Sequence, residues 1–124
     1  MNTDGISCNL LTGEESVEVE GAQITAATIE MFDSSRSGRC VVIDEAFMIA
    51  DAERGWAWTR ALMEGQAPEI RLICSPATTN LIEQLAEAAS LEYETIVHTR
   101  LTPLTVAREP WPLEELPSET ILVA

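Results

Sequence analysis

Cys40-Val41-Val42-Ile43 is an uninterrupted apolar run that ends abruptly in two acids, Asp44-Glu45. A strand with one wet face alternates apolar and polar residues, so a run without alternation fits a strand covered on both faces, as in parallel α/β sheets. The segment Asp33 to Gly38 that leads into it is polar and turn-rich. Beyond it, Glu53 to Glu64 places Trp56, Trp58, Thr59, Leu62 and Met63 on one broad side at helical period, with Gly65 where helices commonly stop. Both tryptophans are therefore expected in the core. Glu69 to Cys74 reads as the next strand. Ser75 and Pro76 read as the cap and first residue of a helix that buries Leu81, Ile82, Leu85 and Ala88 or Ala89. Tyr93 to His98 reads as a further strand, and Ser7 to Leu11, Ser16 to Glu20 and Ile24 to Met31 as extended segments before the first acid pair. Strands alternating with helices predict a mostly parallel sheet with right-handed crossovers, whose functional groups gather at the carboxyl ends of the strands.

Composition bounds the rest. The chain has 124 residues, 46% of them apolar, enough for one domain with a real core and too few for two. A single compact unit is expected. The formal net charge of −14 repels phosphate backbones, which disfavours nucleic-acid binding by this piece alone. Cys8, Cys40 and Cys74 are odd in number and lack C-x-x-C spacing, so packed thiols in a reducing compartment are expected rather than disulfides or a metal site. The N-terminus, Met1-Asn2-Thr3-Asp4, carries no basic and apolar leader, and no run approaches the roughly 18 apolar residues of a membrane span. These features predict a soluble, cytoplasmic protein that does not associate with membranes.

Asp44 and Glu45 leave a strand end side by side. In nucleotide-hydrolysing enzymes the first such carboxylate holds Mg²⁺, usually through water, and the second orients or deprotonates the attacking water. A phosphate-cradling loop also needs a Lys and closely spaced glycines. All seven basic residues here are Arg, and the six glycines are far apart. Other residues read more plainly: Glu14, Glu15, Glu18 and Glu20 as a solvated acidic face, His98 as a strand residue, and the arginines as too scattered for a nucleic-acid patch.

The string Val42-Ile43-Asp44-Glu45-Ala46-Phe47-Met48-Ile49, followed by Arg54-Gly55-Trp56-Ala57-Trp58-Thr59-Arg60-Ala61-Leu62, resembles the motif II region and next helix of superfamily 2 RNA helicases of the mitochondrial degradosome. Cys8-Asn9-Leu10-Leu11-Thr12-Gly13-Glu14-Glu15, Ala27-Thr28-Ile29-Glu30-Met31 and Arg100-Leu101-Thr102-Pro103-Leu104 occur in the expected order. The likeness spans about Gly5 to Arg108. It implies a partial RecA-like lobe of the P-loop NTPase type, an α/β fold with a mostly parallel sheet flanked by helices, lacking the P-loop strand. The implied division is a truncated lobe over 1–108, then a proline-containing linker and terminal strand over 109–124.

By that resemblance Asp44 and Glu45 are the Mg²⁺ and water-activating carboxylates, vestigial here, with Asp44 a weak Mg²⁺ ligand. Thr12, Gly13, Thr28 and Glu30 would line an RNA backbone path, and Ser75, Pro76 and Ala77 would couple hydrolysis to lobe movement. Phe47 stands where a polar residue is expected, and Ser75-Pro76-Ala77 replaces Gly-Glu-Pro-Ala. The missing P-loop strand would lie between Arg71-Leu72-Ile73 and Thr95-Ile96-Val97. Completion of the sheet is expected either by re-pairing of those strands or by Thr120-Ile121-Leu122-Val123 on an open edge, in a homodimer if exchanged between molecules.

Three functional readings stay open. The first is a helicase-derived domain without autonomous ATPase or unwinding activity, acting through protein association and needing no cofactor alone. The second is a fragment of an ATP-dependent RNA helicase, with ATP, Mg²⁺ and RNA engaged only by the full-length parent. The third is a domain whose P-loop comes from a partner. Met1 and its polar sequel favour a separately encoded protein, and an end in mid-strand at Ala124 favours a fragment. Under all three, most RNA affinity would have to come from phosphate neutralisation by basic residues, and this charge opposes it. The isolated chain is therefore expected to show no binding to single-stranded RNA at ~0.15 M salt; a micromolar dissociation constant in a fluorescence titration would contradict this.

Overall fold

The computed structural model describes residues 5–99, 101–102, 105–106 and 112. The chain divides into two compact units, Met1–Tyr93 and Glu94–Ala124, rather than the single unit expected from its length. In the first, five strands are distributed between two sheets. Strand β1 (Cys8–Leu11) lies between β2 (Ser16–Val17), to which it is antiparallel, and β3 (Ile24–Ala27), to which it is parallel. The second sheet is the parallel pair β4 (Cys40–Ile43) and β5 (Glu69–Leu72), in register from Cys40 opposite Glu69 to Ile43 opposite Leu72. Two helices follow, α1 (Gly55–Glu64) between the strands of that pair and α2 (Thr79–Ala88) after it.

The α/β class expected from sequence is present. Its single mostly parallel sheet is replaced, among the described residues, by one mixed and one parallel sheet. The segment Ile24 to Met31 does not stay extended: it breaks at Thr28 and closes a 3-10 turn over Ile29–Met31. Tyr93 to His98 forms no strand and is exposed throughout. Its apolar residues Ile96 and Val97 have β propensity but bury nothing, and propensity without burial does not hold a strand. The expected re-pairing across the gap therefore has no strand here to make it, and β5 is hydrogen-bonded to β4 alone among the described residues. The alternative, Thr120 to Val123, lies outside the described residues, as does most of the expected linker.

The core sits where α1 crosses β4. Ile43, Ala46, Ala57, Trp58, Ala61 and Leu62 are buried together, with Val41, Ile70, Leu72, Ile82 and Leu85 packed around them. Ala57 and Ala61 are one turn apart, and their small side chains let the helix backbone approach the sheet while Trp58 and Leu62 fill the flanks. Each large apolar side chain buried in this way contributes about 1.5–3 kcal/mol. This registry corrects the expected core face of the helix. Trp56 and Met63 turn outward, with 56% and 52% of their surface exposed, whereas Trp58 is buried at 5%.

The cysteines follow the same geometry. Cys8 is half-buried, but Cys40 and Cys74 are exposed, so packed thiols are not what the structure provides at those two positions. Cys40 alternates with half-buried Val41 along β4 and so lies on the face away from α1.

Gly55 opens α1 against the preceding 3-10 turn, Ala46–Ala50. A Cβ there would stand 2.6 Å from the carbonyl oxygen of Ile49 and 3.2 Å from that of Met48, both backbone atoms with no rotamer to yield. Gly55→Ala is expected to destabilise the fold by about 1–3 kcal/mol, as overpacking does. Urea unfolding measures it, and an unchanged midpoint would show that this approach is not close in solution.

Candidate functional site

The carboxyl ends of β1, β3, β4 and β5 carry the site. At the end of β1, Thr12 begins the turn to β2: its Oγ1 accepts the backbone N–H groups of Glu14 (3.3 Å) and Glu15 (2.9 Å), and its own N–H donates to the Glu15 carbonyl. Gly13 lies exposed within that turn. Next to it, the Thr28 N–H donates to the Leu11 carbonyl at 3.0 Å, which sets Thr28 beside the β1 end. Thr12, Gly13, Thr28 and Glu30 thus form one neighbourhood. The Thr12 hydroxyl is already engaged by the turn.

Asp44 and Glu45 follow β4 directly. Glu45 adopts the left-handed conformation (φ 51°, ψ 33°), uncommon for a residue with a side chain, and this turns the chain out of the strand into the 3-10 turn. Its N–H is held by Asp44 Oδ1 at 2.8 Å, and both side chains remain exposed. The pair of strands continues past its ladder: the Ile73 N–H reaches the Ile43 carbonyl at 3.0 Å, and the Ala46 N–H reaches the Ile73 carbonyl at 2.9 Å. Those bonds draw the Asp-Glu turn against the segment after β5, where Ser75 leads into a 3-10 turn over Pro76–Thr78. Ser75 and Pro76 open this 3-10 turn rather than α2, whose cap is Thr78, and Ser75 makes no side-chain capping bond; the Thr78 hydroxyl instead donates to the Ser75 carbonyl at 3.1 Å.

Helix α1 ties these ends together through residues to which the sequence reading gave no role at the site, Trp58 having been read as core alone. The Trp58 Nε1–H donates to the Asp44 carbonyl at 3.0 Å and so fixes the backbone beneath the first acid. Arg54 pairs with Glu30 at 2.7 Å, and an Arg60 terminal nitrogen donates to the carbonyls of Glu30 (3.2 Å) and Phe32 (3.0 Å). Arg54 also lies 5.5 Å from the Trp58 ring, and Arg60 lies 5.4 Å from Trp56, which accounts for an exposed tryptophan on this helix. The signal was present in the sequence as two arginine–tryptophan pairs four residues apart, Arg54/Trp58 and Trp56/Arg60. Asp51 completes the helix start by accepting the N–H groups of Arg54 (2.8 Å) and Glu53 (3.0 Å).

These contacts set the local charge states. The Arg54 hydrogen bond holds the Glu30 carboxyl below its ordinary value, and Glu30 in turn raises Arg54. Backbone donation from Arg54 and then Glu53 lowers Asp51. Among the described residues no three His, Cys, Asp or Glu side chains converge on a possible metal position. Asp44 offers a single outward carboxylate with Oδ1 bonded to the Glu45 N–H, a donor set that suits water-mediated Mg²⁺ held jointly with substrate phosphates.

A parallel strand pair delivers Asp-Glu to its carboxyl end, the end at which open α/β sheets bind ligands, and the next helix braces that turn. Residues 1–98 match the DEXQ-box helicase domain of Suv3, and the chain belongs to that family. It is 43% identical over 109 residues to the mouse ATP-dependent RNA helicase SUPV3L1, mitochondrial, covering 85% of this chain and 14% of the relative. It is 36% identical over 110 residues to the Arabidopsis thaliana DExH-box ATP-dependent RNA helicase DExH16, mitochondrial (89% and 19%), and 37% identical over 110 residues to the Caenorhabditis elegans ATP-dependent RNA helicase SUV3 homolog, mitochondrial (86% and 15%). The chain thus spans under a fifth of the length of these relatives. Their names overturn the cytoplasmic location expected above, since each is called mitochondrial. No helix among the described residues is long and apolar enough to cross a membrane. The family name spells a glutamine at the fourth position of the acidic tetrad, and the Arabidopsis name a histidine; this chain has Phe47 there, 42% exposed.

Trp58→Phe removes the bond to the Asp44 carbonyl and part of the core volume, and is expected to cost about 1–3 kcal/mol. Chemical denaturation of the two proteins measures the difference; equal stability would mean that the indole does not brace the acid pair.

Proposed function

We propose that this chain forms part of the first motor lobe of an ATP-dependent RNA helicase and has no ATPase or unwinding activity by itself. The observation that supports the reading best is the Asp44–Glu45 turn, bonded through Ala46 to Ile73 and lying beside Ser75–Thr78, in a chain of the Suv3 helicase family. In a complete enzyme Asp44 would hold Mg²⁺ through water, and Glu45 would orient the attacking water. Thr12, Gly13, Thr28 and Glu30 would line the RNA backbone, and Ser75, Pro76 and Ala77 would carry the effect of nucleotide to a second lobe. ATP and Mg²⁺ are cofactors of that complete enzyme, as the relatives' names imply for ATP.

The chain alone supplies one side of the reaction. Positioning and charge neutralisation on the phosphates account for almost all of phosphoryl-transfer catalysis, and no lysine or closely spaced glycines exist here to provide them. Phe47 adds a second deficit, because a phenyl ring cannot accept or donate the hydrogen bonds available to the glutamine or histidine of the named tetrads.

Phosphate release from ATP with Mg²⁺ is therefore expected to stay at the background rate for the isolated chain and for Asp44→Asn alike. A metal-dependent rate in the first that disappears in the second would refute the proposal.

A further inference from the structure

Arg54 stands between the two halves of the site. Its backbone is fixed at the start of α1, where Asp51 Oδ1 accepts its N–H at 2.8 Å. From there the guanidinium donates to Glu30 Oε1 at 2.7 Å and lies 5.5 Å from the ring of Trp58, whose Nε1–H holds the Asp44 carbonyl at 3.0 Å. Trp58 is buried, so the far end of this chain of contacts is anchored in the core. Charge adds a second connection. Glu30 does most to raise Arg54 above its ordinary value, and the charges of Asp51 and then Glu45 raise it further, which puts the second acid within electrostatic reach of the same guanidinium. Arg60 holds the turn after β3 as well, but through the main-chain carbonyls of Glu30 and Phe32, which do not depend on the Glu30 carboxylate.

We propose that Arg54 is a positioning residue that passes the state of the Glu30 carboxylate to the Asp44–Glu45 turn. The inference rests on the reading above, in which Glu30 lines an RNA path and the acid pair serves the nucleotide. A carboxylate only accepts hydrogen bonds, so a ribose hydroxyl engages it by donating and draws off charge that Arg54 now balances. The guanidinium is then held less by Glu30 and more by Glu45, and its seat on the Trp58 face changes with it. That face belongs to the residue bonded to Asp44, so both acids feel the change. The Arg54–Glu30 pair is exposed and weak, which makes the expected effect a change of environment at the acids and not a refolding of the turn.

The test is a double-mutant cycle read by ¹⁵N–¹H resonances of the 124-residue chain, with no nucleotide or RNA present and with Glu30→Gln standing in for a neutralised carboxylate. The Trp58 indole peak is assigned by its loss in Trp58→Phe. Glu30→Gln is expected to move that peak and the Asp44 and Glu45 amides. The movement is lost when Glu30→Gln is made on Arg54→Met or on Arg54→Gln, and is kept at least in part on Arg54→Lys, which preserves the charge. The Ala57 and Ala61 amides stay in place throughout, which shows that the core is intact. Equal movement with and without Arg54, no movement in either, or a loss that Arg54→Lys does not repair overturns the proposal. Each of these results concerns the link alone and leaves the helicase reading as it was, whereas ATP hydrolysis by the isolated chain would refute that reading and not the link.

Discussion

The seat of α1 on β4 is the contact on which the site depends. It is made by two alanines, Ala57 and Ala61, that let the helix come close, and by one indole that reaches past the end of the strand. Because Trp58 donates to the backbone of Asp44, the same side chain that fills the core also sets the height of the first acid of the pair. Stability and site geometry are therefore not separable at this residue. Gly55 belongs to the same construction, since only a residue without Cβ lets the helix begin so near the carbonyls of Met48 and Ile49.

From that seat the helix gathers the other strand ends with charge. Arg54 and Arg60 both act on the short turn after β3, one on the Glu30 side chain and the other on main-chain carbonyls of Glu30 and Phe32. The Arg54–Glu30 pair is exposed, so its contribution to stability is small and salt-sensitive. Its effect is positional: it fixes one residue of the expected RNA path relative to the acid pair, in the absence of any direct pairing between β3 and β4. Glu30 has its carboxyl lowered in the folded state, so what the pair contributes is present above the ordinary glutamate value of 4.5 and fades as pH falls below it.

The parallel pair was legible as an uninterrupted apolar run, but the cover on both faces expected from that run is not there among the described residues: Val41 and Ile43 face the core, whereas Cys40 and Val42 are exposed. The α1 face was harder to read. Trp56 and Trp58 have the same apolar character, and periodicity over one short helix could not say which of two adjacent arcs faces the sheet. That was decided by Ala57 and Ala61, whose small size carries little weight in a search for large apolar residues. The arginines were missed for a related reason: their partners, Glu30 and the carbonyls near it, are 24 to 30 residues away in the chain. Tyr93 to His98 shows the opposite error, a segment with strand composition and no surface to bury. Local pattern specifies what a segment could become, and the neighbours available to it determine the outcome.

Phe47 shows how the acid pair and its surroundings can diverge. The backbone that carries Asp44 and Glu45 is held by the Ile43, Ala46, Ile73 and Trp58 bonds, none of which involves the Phe47 side chain. A substitution there leaves the turn intact while replacing a polar group by an exposed ring. The backbone beneath the carboxylates is thus held by residues other than Phe47. Loss of hydrogen-bonding capacity at that position can therefore coexist with a well-formed Asp-Glu turn.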